Sequence, residues 1–181
     1  MRYKGYDAKN SISPSADHVS AGRANPDHIR YLYLSEDETT PVYEVRPIIG
    51  QTVSIARFRV KKDLKIFDLS MNLDDEYQNP EYSLPSLYNS IGKMFSKPYS
   101  GKETEYIPTQ YLTEEIKRMG FDGIRFKSSL NEGGFNIVLF SDEYCKPYRS
   151  DLVTIRSITL GIEQPAIYHL LDNPTSFNTG L

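Results

Sequence analysis

The sequence predicts an α+β domain with a mostly antiparallel, split sheet and short helices. Predicted strands and helices follow one another in the order β-α-β-β-α-α-β-β-β, which is typical of this class. The chain has 181 residues, a length that suits one domain, and 39% of them are hydrophobic. A chain of this size can bury a single core. Each predicted element is justified in order below.

The N-terminal part predicts a loop, a strand and a short helix. Residues 1–20 are polar and rich in serine, asparagine and aspartate, which favours a loop. The aromatic segment Arg30–Ser35 predicts a strand. The helix after it begins at Asp37 or at Thr40 as N-cap, and both choices place Glu44 on the helix.

The next two segments predict a β-hairpin. Thr52–Val60 and Leu64–Ser70 are rich in strand-forming residues and flank the short turn Lys61–Asp63. Five basic residues lie on or beside this hairpin: Arg57, Arg59, Lys61, Lys62 and Lys65. Such a cluster can contact phosphates, but a solvated hairpin face is the favoured interpretation.

The C-terminal half predicts two helices and then three strands. Apolar residues recur at helical spacing in Leu84–Phe95, and a second helix is predicted from Pro108 to Met119, with Gly120 as its stop. The predicted strands are residues 123–128, 135–140 and 152–162.

Composition argues against several classes of protein. The net charge of −3 disfavours a dedicated nucleic-acid binder. No apolar run approaches a membrane span of ~20 residues, and the N-terminus lacks the apolar region of a signal peptide. Cys145 is the single cysteine, so no intrachain disulfide can form, and we expect a cytoplasmic protein.

Sequence motifs exclude some kinds of site and favour others. His18, His28 and His169 have no paired spacing and no cysteine cluster beside them, so we expect no metal site. Neither a dinucleotide-binding glycine motif nor a P-loop is present. Cys145 lies among charged residues that favour no thiolate in particular.

Three polar positions have the chemistry of a binding or catalytic site. Arg23 follows Gly22 in a loop, and a guanidinium binds phosphate through two parallel hydrogen bonds. Glu44 lies between Tyr43 and Val45, where a carboxylate can stabilise a developing cation. Ser128 ends a predicted strand before a glycine-rich loop. On spacing alone, a structural role explains each position better than a functional one. Arg23 would then be a loop clamp, Glu44 a surface residue of the helix and Ser128 a turn former.

The ordered set of motifs resembles the RES domain family, which is named for its arginine, glutamate and serine. The segments are GRANP, YLYLSEDETTPVYEVRP and FDGIRFKSSLNEGGFNIVLF. No single segment is specific, but their order is. The resemblance covers residues 20–141, and we expect a RES-type NAD-binding catalytic domain over residues 1–163 and a C-terminal tail over 164–181.

The resemblance assigns roles to individual residues. The family's motif positions fall on Arg23, Tyr33, Glu44, Ser128 and Asn136. Ser129 adjoins Ser128, and spacing from Gly133 and Gly134 favours Ser128 as the motif serine. Many members have an aromatic residue after the arginine, whereas this chain has Ala24. We therefore do not expect the stacking contact with the substrate that the resemblance implies at that position.

The resemblance also implies a function. Family members have a fold similar to ADP-ribosyltransferases and cleave NAD with water or inorganic phosphate, or transfer ADP-ribose to a protein. Many are toxins of bacterial toxin–antitoxin pairs. We therefore expect NAD as substrate, inorganic phosphate as a candidate co-substrate, no cofactor, and an antitoxin protein as partner, with a homo-oligomer left open. No direct contact with nucleic acid or membrane is expected. The alternatives are an ADP-ribosyltransferase and a catalytically silent interaction module with a tyrosine-rich surface.

Overall fold

The computed structural model describes residues 5–72, 83–98 and 102–159. Within these residues the α-helices are α1 (Thr40–Glu44), α2 (Leu84–Phe95) and α3 (Ile107–Arg118). The strands are β1 (Leu32–Ser35), β2 (Thr52–Val60), β3 (Ile66–Asp68), β4 (Gly123–Lys127), β5 (Phe135–Leu139) and β6 (Cys145–Thr154). Two short 3₁₀ helices, Ala8–Ser11 and Ala16–His18, lie in the predicted N-terminal loop. The predicted tail over 164–181 lies outside the described residues.

A four-stranded sheet forms the centre of the fold. Its strand order is β1-β5-β4-β3, with β1 and β4 antiparallel to β5. Strand β3 pairs with β4 in parallel. The register places Tyr33 opposite Val138 and Ser35 opposite Asn136. The α+β class with mostly antiparallel sheets is therefore confirmed.

The predicted hairpin of β2 with β3 is wrong. Strand β2 pairs instead with β6 in a separate antiparallel sheet. The chain after β2 is held away from β2 by distant partners, because Lys61 N–H donates to the Tyr144 carbonyl and Lys65 N–H to Asp122. Long-range strand pairing has therefore overridden the local turn pattern.

The last predicted strand is misplaced. Strand β6 spans Cys145–Thr154, and the described residues after it, 155–159, are not in a strand. The segment that begins β6 contains Pro147 and charged residues, which is typical of a loop. It forms a strand because it pairs with β2 through an irregular register near Phe58, where a proline is tolerated in an edge strand.

The predicted helices α2 and α3 are confirmed to within one residue at each end. The Ser83 side chain caps α2 by accepting the Ser86 N–H at 3.1 Å. Gly120 follows α3 with a φ of +85°, a conformation that glycine adopts without steric penalty. Among the described residues, no helix has both the length and the apolar character to span a bilayer.

The hydrophobic core lies between the four-stranded sheet and helices α2 and α3. Ile124, Phe126 and Val138 are at most 2% exposed. Phe95 of α2 and Ile116 of α3 belong to the same buried cluster. Full burial of one large apolar side chain stabilises a fold by about 1.5–3 kcal/mol. The packing places the end of α2 and the start of α3 beside the loop that precedes β1. Arg23 of that loop is hydrogen-bonded to Phe95 of α2 and to Thr109 of α3.

Candidate active site

A carboxylate from α1 is the centre of the candidate site. Glu44 is the last residue of α1. Its Oε1 accepts a hydrogen bond from the Ser128 hydroxyl at 2.9 Å and another from the Asn136 amide at 2.7 Å. A short helix, the loop after β4 and strand β5 thus bring three predicted site residues into direct contact.

The Ser128 hydroxyl is held from two sides. It donates to Glu44 and accepts the backbone N–H groups of Leu130 and Asn131, both at 3.1 Å. These bonds form the turn after β4, so the serine is a turn former as well as a partner of the carboxylate. Ser129 instead lines a separate cavity beside Tyr43. The serine in contact with Glu44 is therefore Ser128.

Asn136 orients the same carboxylate from β5. Its side chain is 7% exposed, and its Oδ1 accepts a hydrogen bond from the Ser35 hydroxyl at 2.8 Å. That contact fixes which end of the amide faces Glu44. Oε1 of Glu44 thus accepts two hydrogen bonds, whereas Oε2 has none among the described residues. One oxygen positions the carboxylate and the other is left for a ligand.

Arg23 lies across the cleft and is anchored to the end of α2. Its guanidinium donates to the Phe95 carbonyl and, at 2.5 Å, to the Lys97 carbonyl. It also lies 5.8 Å from the centre of the Phe126 ring. Burial lowers the pKa of Arg23, and the nearby Tyr106 and Glu44 oppose that shift. The arginine is held in one orientation near Glu44.

Helix α3 fixes the backbone of the loop that carries Arg23. The Thr109 hydroxyl donates to the Arg23 carbonyl at 2.6 Å. The Gln110 amide donates to the carbonyls of Gly22 and Asn25, at 2.9 and 3.0 Å. A side chain on Gly22 would place its Cβ 2.6 Å from Asn25 Oδ1, which is too close. Glycine is therefore the residue that this packing accepts.

Tyr33 joins the same loop to β1. Its hydroxyl donates to Asn25 Oδ1 at 2.7 Å and accepts the Ala24 N–H at 3.1 Å. Burial of the hydroxyl raises the pKa of Tyr33 to about 12, so the phenol is neutral at physiological pH. The residue as a whole is nevertheless 45% exposed. The hydroxyl is enclosed while much of the ring is open to solvent.

A cleft of about 400 Å³ connects these residues. Arg23, Tyr33, Glu44 and Asn136 line it, and Ser128 reaches it through its bond to Glu44. Its volume lies within the range of small-molecule sites. The remaining lining residues are Gly22, Leu34, Ser35, Pro41, Val45, Tyr106 and Phe126. The cleft combines an apolar wall with a cation and an anion.

Sequence reasoning missed two polar residues of the cleft. Ser35 lies two residues after Tyr33 in β1, so strand periodicity alone places both on one face. Tyr106 ends the 3₁₀ helix Glu103–Tyr106 that leads into α3. As one of 14 tyrosines it carries no local signal, because only the tertiary fold brings it to Arg23.

Other candidate sites of the sequence have structural partners. The two described histidines, His18 and His28, contact Ser15 and the Ala16 carbonyl. The part of the chain that the structure describes holds no cluster of three potential metal ligands. Cys145 is buried, and burial raises the pKa of its thiol, which disfavours a thiolate nucleophile.

The basic cluster near β2 is engaged in contacts within the chain. Arg57 forms ion pairs with Glu38 and Asp151. Lys62 pairs with Asp122 at 3.2 Å. These contacts give Arg57 and Lys62 structural roles, and Arg59 lies 5.2 Å from the centre of the Tyr148 ring.

Comparison with known proteins identifies the family. A search of curated proteins finds no match, and a search of solved structures finds none either, so the similarity to the ADP-ribosyltransferase fold is not confirmed. The family model of the RES domain matches residues 2–158, which is most of the chain. This match shows that the chain belongs to the RES domain family.

Proposed function

We propose that the chain cleaves NAD at the bond between nicotinamide and ribose, with water or inorganic phosphate as nucleophile. We propose further that it acts as the toxin of a bacterial toxin–antitoxin pair. Membership of the RES domain family supports an NAD-acting enzyme. The observation that carries the proposal is the Glu44 carboxylate, which Ser128 and Asn136 hold in a cleft shared with Arg23.

Glu44 suits the charge that develops in this reaction. When the N-glycosidic bond breaks, its electron pair leaves with neutral nicotinamide and the ribose gains oxocarbenium character. A preorganised carboxylate beside the ribose stabilises that cation. By analogy with the loss of one oxyanion-hole donor, which slows turnover about 10²–10³-fold, we expect an effect of the same order. The leaving group needs no proton. A second carboxylic acid of the glycosidase kind is therefore not required.

The nucleophile completes the reaction on the same ribose carbon. Attack by a water oxygen forms a new carbon–oxygen bond, releases one proton and gives ADP-ribose. Attack by a phosphate oxygen gives ADP-ribose phosphorylated at that carbon. Transfer to a protein side chain uses the same site with a different acceptor. The three outcomes differ only in the group that approaches the ribose.

Arg23 suits the pyrophosphate of NAD. A guanidinium has five N–H donors in a planar fork, and two bonds of Arg23 go to the Phe95 and Lys97 carbonyls. The described contacts leave further donors for phosphate oxygens. Because the side chain is already anchored, binding loses little rotamer entropy. The open ring of Tyr33 supplies a flat surface for the ribose or the nicotinamide.

Product analysis tests this proposal. Purified chain is incubated with NAD, with and without inorganic phosphate, and the products are separated by chromatography and identified by mass. We expect one nicotinamide per NAD lost, together with ADP-ribose or its phosphorylated form. Consumption of NAD only when a protein acceptor is added would favour the transferase. Absence of both NAD binding and NAD consumption would favour the silent interaction module.

A further inference from the structure

A second cavity adjoins the cleft on the far side of Arg23. It has a volume of about 190 Å³. Its described lining comprises Met94, Lys97, Pro98, Glu105 and Thr109, together with Arg23 and Tyr106. Arg23 and Tyr106 also line the larger cleft. These two side chains therefore stand between two cavities that lie side by side.

We propose that the smaller cavity receives the adenosine half of NAD and that Tyr106 is a specificity-determining residue. This inference rests on the proposed function, and it extends that function to the choice between a dinucleotide and a mononucleotide. The larger cleft holds Glu44 and Asn136, so the reacting ribose and the nicotinamide lie there.

The arrangement of charge fixes the direction in which the substrate extends. In NAD the pyrophosphate lies between the two nucleosides. Arg23 is the cation shared by both cavities, so a pyrophosphate bound to it has one nucleoside on each side. With the nicotinamide ribose at Glu44, the other nucleoside extends toward Met94 and Pro98.

The lining of the smaller cavity suits a purine. Met94 and Pro98 supply apolar surface, and Tyr106 supplies an aromatic ring. Lys97 and Glu105 are polar residues of the lining, with Nζ and Oε2 3.8 Å apart. Tyr106 also lies close enough to Arg23 and Tyr33 to influence their ionisation. Tyr106 is thus an aromatic residue at the junction of the two cavities. Ala24, which stands where many family members have an aromatic residue after the arginine, is fully buried and offers no surface to a ligand.

A comparison of two substrates tests the assignment. The full chain is assayed with NAD and with nicotinamide mononucleotide, which lacks the adenosine half. We expect kcat/KM for NAD to exceed that for the mononucleotide by at least about tenfold. Met94→Trp fills the smaller cavity, and Met94 is 39% exposed, so the helix surface tolerates the change. The ratio of the two kcat/KM values should then fall about tenfold.

A matched control keeps the test specific. Met119→Trp makes the same substitution at a residue that is 66% exposed and lines neither cavity, so the ratio should not change. Tyr106→Ala should lower the ratio as well. The melting temperature of each variant is measured as well. If Met94→Trp melts at a lower temperature than the wild type, Met94→Phe is used in its place.

The outcomes separate this inference from the proposed function. If the wild-type chain cleaves neither substrate, both the proposed function and this inference are wrong. If it cleaves both with equal efficiency, or if Met94→Trp leaves the ratio unchanged, the adenosine assignment alone is overturned. A fall in the ratio for Met94→Trp, with no fall for Met119→Trp, supports it.

Discussion

At the scale of single residues, a substitution of Glu44 tests the proposed chemistry. Glu44→Gln keeps an oxygen that accepts from Ser128 and Asn136 but removes the negative charge. We expect kcat to fall by about 10²–10³-fold with KM little changed, because the carboxylate acts most strongly once positive charge develops. Steady-state kinetics beside a thermal melt measure both effects.

Glu132→Gln is the control for this variant, since Glu132 is exposed in the nearby loop and lines neither cavity. It should retain wild-type kinetics. Near wild-type kcat in Glu44→Gln would remove the carboxylate from the mechanism. A large loss of melting temperature in Glu44→Gln would make its role structural.

The raised pKa of Tyr33 predicts how the stability of the fold changes at alkaline pH. Its folded-state pKa of about 12 lies above the value of a free tyrosine, so folding favours the protonated phenol. That contribution is fully present below about pH 10 and is lost as pH rises toward 12. Tyr31, whose pKa burial also raises, acts in the same direction. Tyr33→Phe should therefore lose less stability between pH 8 and pH 11 than the wild type.

Urea unfolding at the two pH values measures this difference. At pH 8 the variant should be less stable by about 1–3 kcal/mol, because Asn25 Oδ1 is left buried without the phenol donor. Equal losses of stability between pH 8 and pH 11 in both proteins would contradict the assignment of the raised pKa to Tyr33.

The motifs in the sequence identified most of the polar residues of the cleft. Arg23, Tyr33, Glu44 and Asn136 lie around it as a set. Their order along the chain was the signal, since each alone has an ordinary structural explanation. Tyr106 could not be found in this way, because its place beside Arg23 depends on how α3 packs against the sheet.

At the scale of elements, the short helix α1 carries the Glu44 carboxylate and is itself held by hydrogen bonds at its start. The Asp37 carboxylate accepts the N–H groups of Thr39 and Thr40 at 2.7 Å and the Thr40 hydroxyl at 2.5 Å. These bonds, chiefly that from the Thr40 hydroxyl, lower the pKa of Asp37. Thr40 in turn accepts from the Asn131 amide, which links α1 to the turn at Ser128.

Asp37→Ala should therefore affect both stability and activity. Asp37 lies two residues before the N-cap, Thr39. Loss of its hydrogen bonds to the start of α1 should reduce the free energy of unfolding by an amount similar to the loss of an N-cap, about 0.5–2 kcal/mol. Because α1 ends at Glu44, kcat should also fall by about tenfold or more. The wild type should lose this stabilisation as pH falls through the lowered pKa of Asp37, below 3.8, and the variant should not. Melts at neutral and acid pH, with steady-state assays, measure these effects.

Asp63→Ala is the matched control, because Asp63 is exposed in the segment after β2. It should change neither stability nor kcat. If Asp37→Ala melts at the wild-type temperature with unchanged kcat, α1 is not positioned by this carboxylate.

Helices α2 and α3 were the most predictable elements, because their signals are local. For α1 neither predicted N-cap is right, since the helix begins after Thr39 rather than after Asp37 or Thr40. Ser83 before α2 and Gly120 after α3 mark helix ends within a few residues of chain. Strand partners carry no such signal. Strand β2 pairs with β6, whose residues lie far along the chain, so the turn after β2 suggested the wrong partner. Pro147 further concealed β6 as a strand.

At the scale of the whole molecule, an enzyme that destroys NAD should be toxic. Expression of the chain alone in bacterial cells should lower cellular NAD and stop growth, and co-expression of a cognate antitoxin should restore both. Glu44→Gln, expressed at the same level, should permit growth. Normal growth with unchanged NAD at high levels of soluble wild-type protein would contradict the toxin role.

The match to the RES family covers most of the chain. The predicted domain over residues 1–163 includes the matched residues 2–158. The boundary at residue 163 stays a prediction. The class of fold, with a split and mostly antiparallel sheet, was predicted correctly, whereas the strands that form the second sheet were not. The division into two sheets depends on β6 pairing with β2 rather than extending the central sheet.

One measurement tests the central claim most directly. A proton NMR time course follows NAD in the presence of purified wild-type chain and, in parallel, of Glu44→Gln. The account predicts that free nicotinamide grows in at one equivalent per NAD lost with the wild type, and at least about a hundredfold more slowly with the variant. NAD that stays intact with well-folded wild type, or that splits at the pyrophosphate into two mononucleotides, would contradict it.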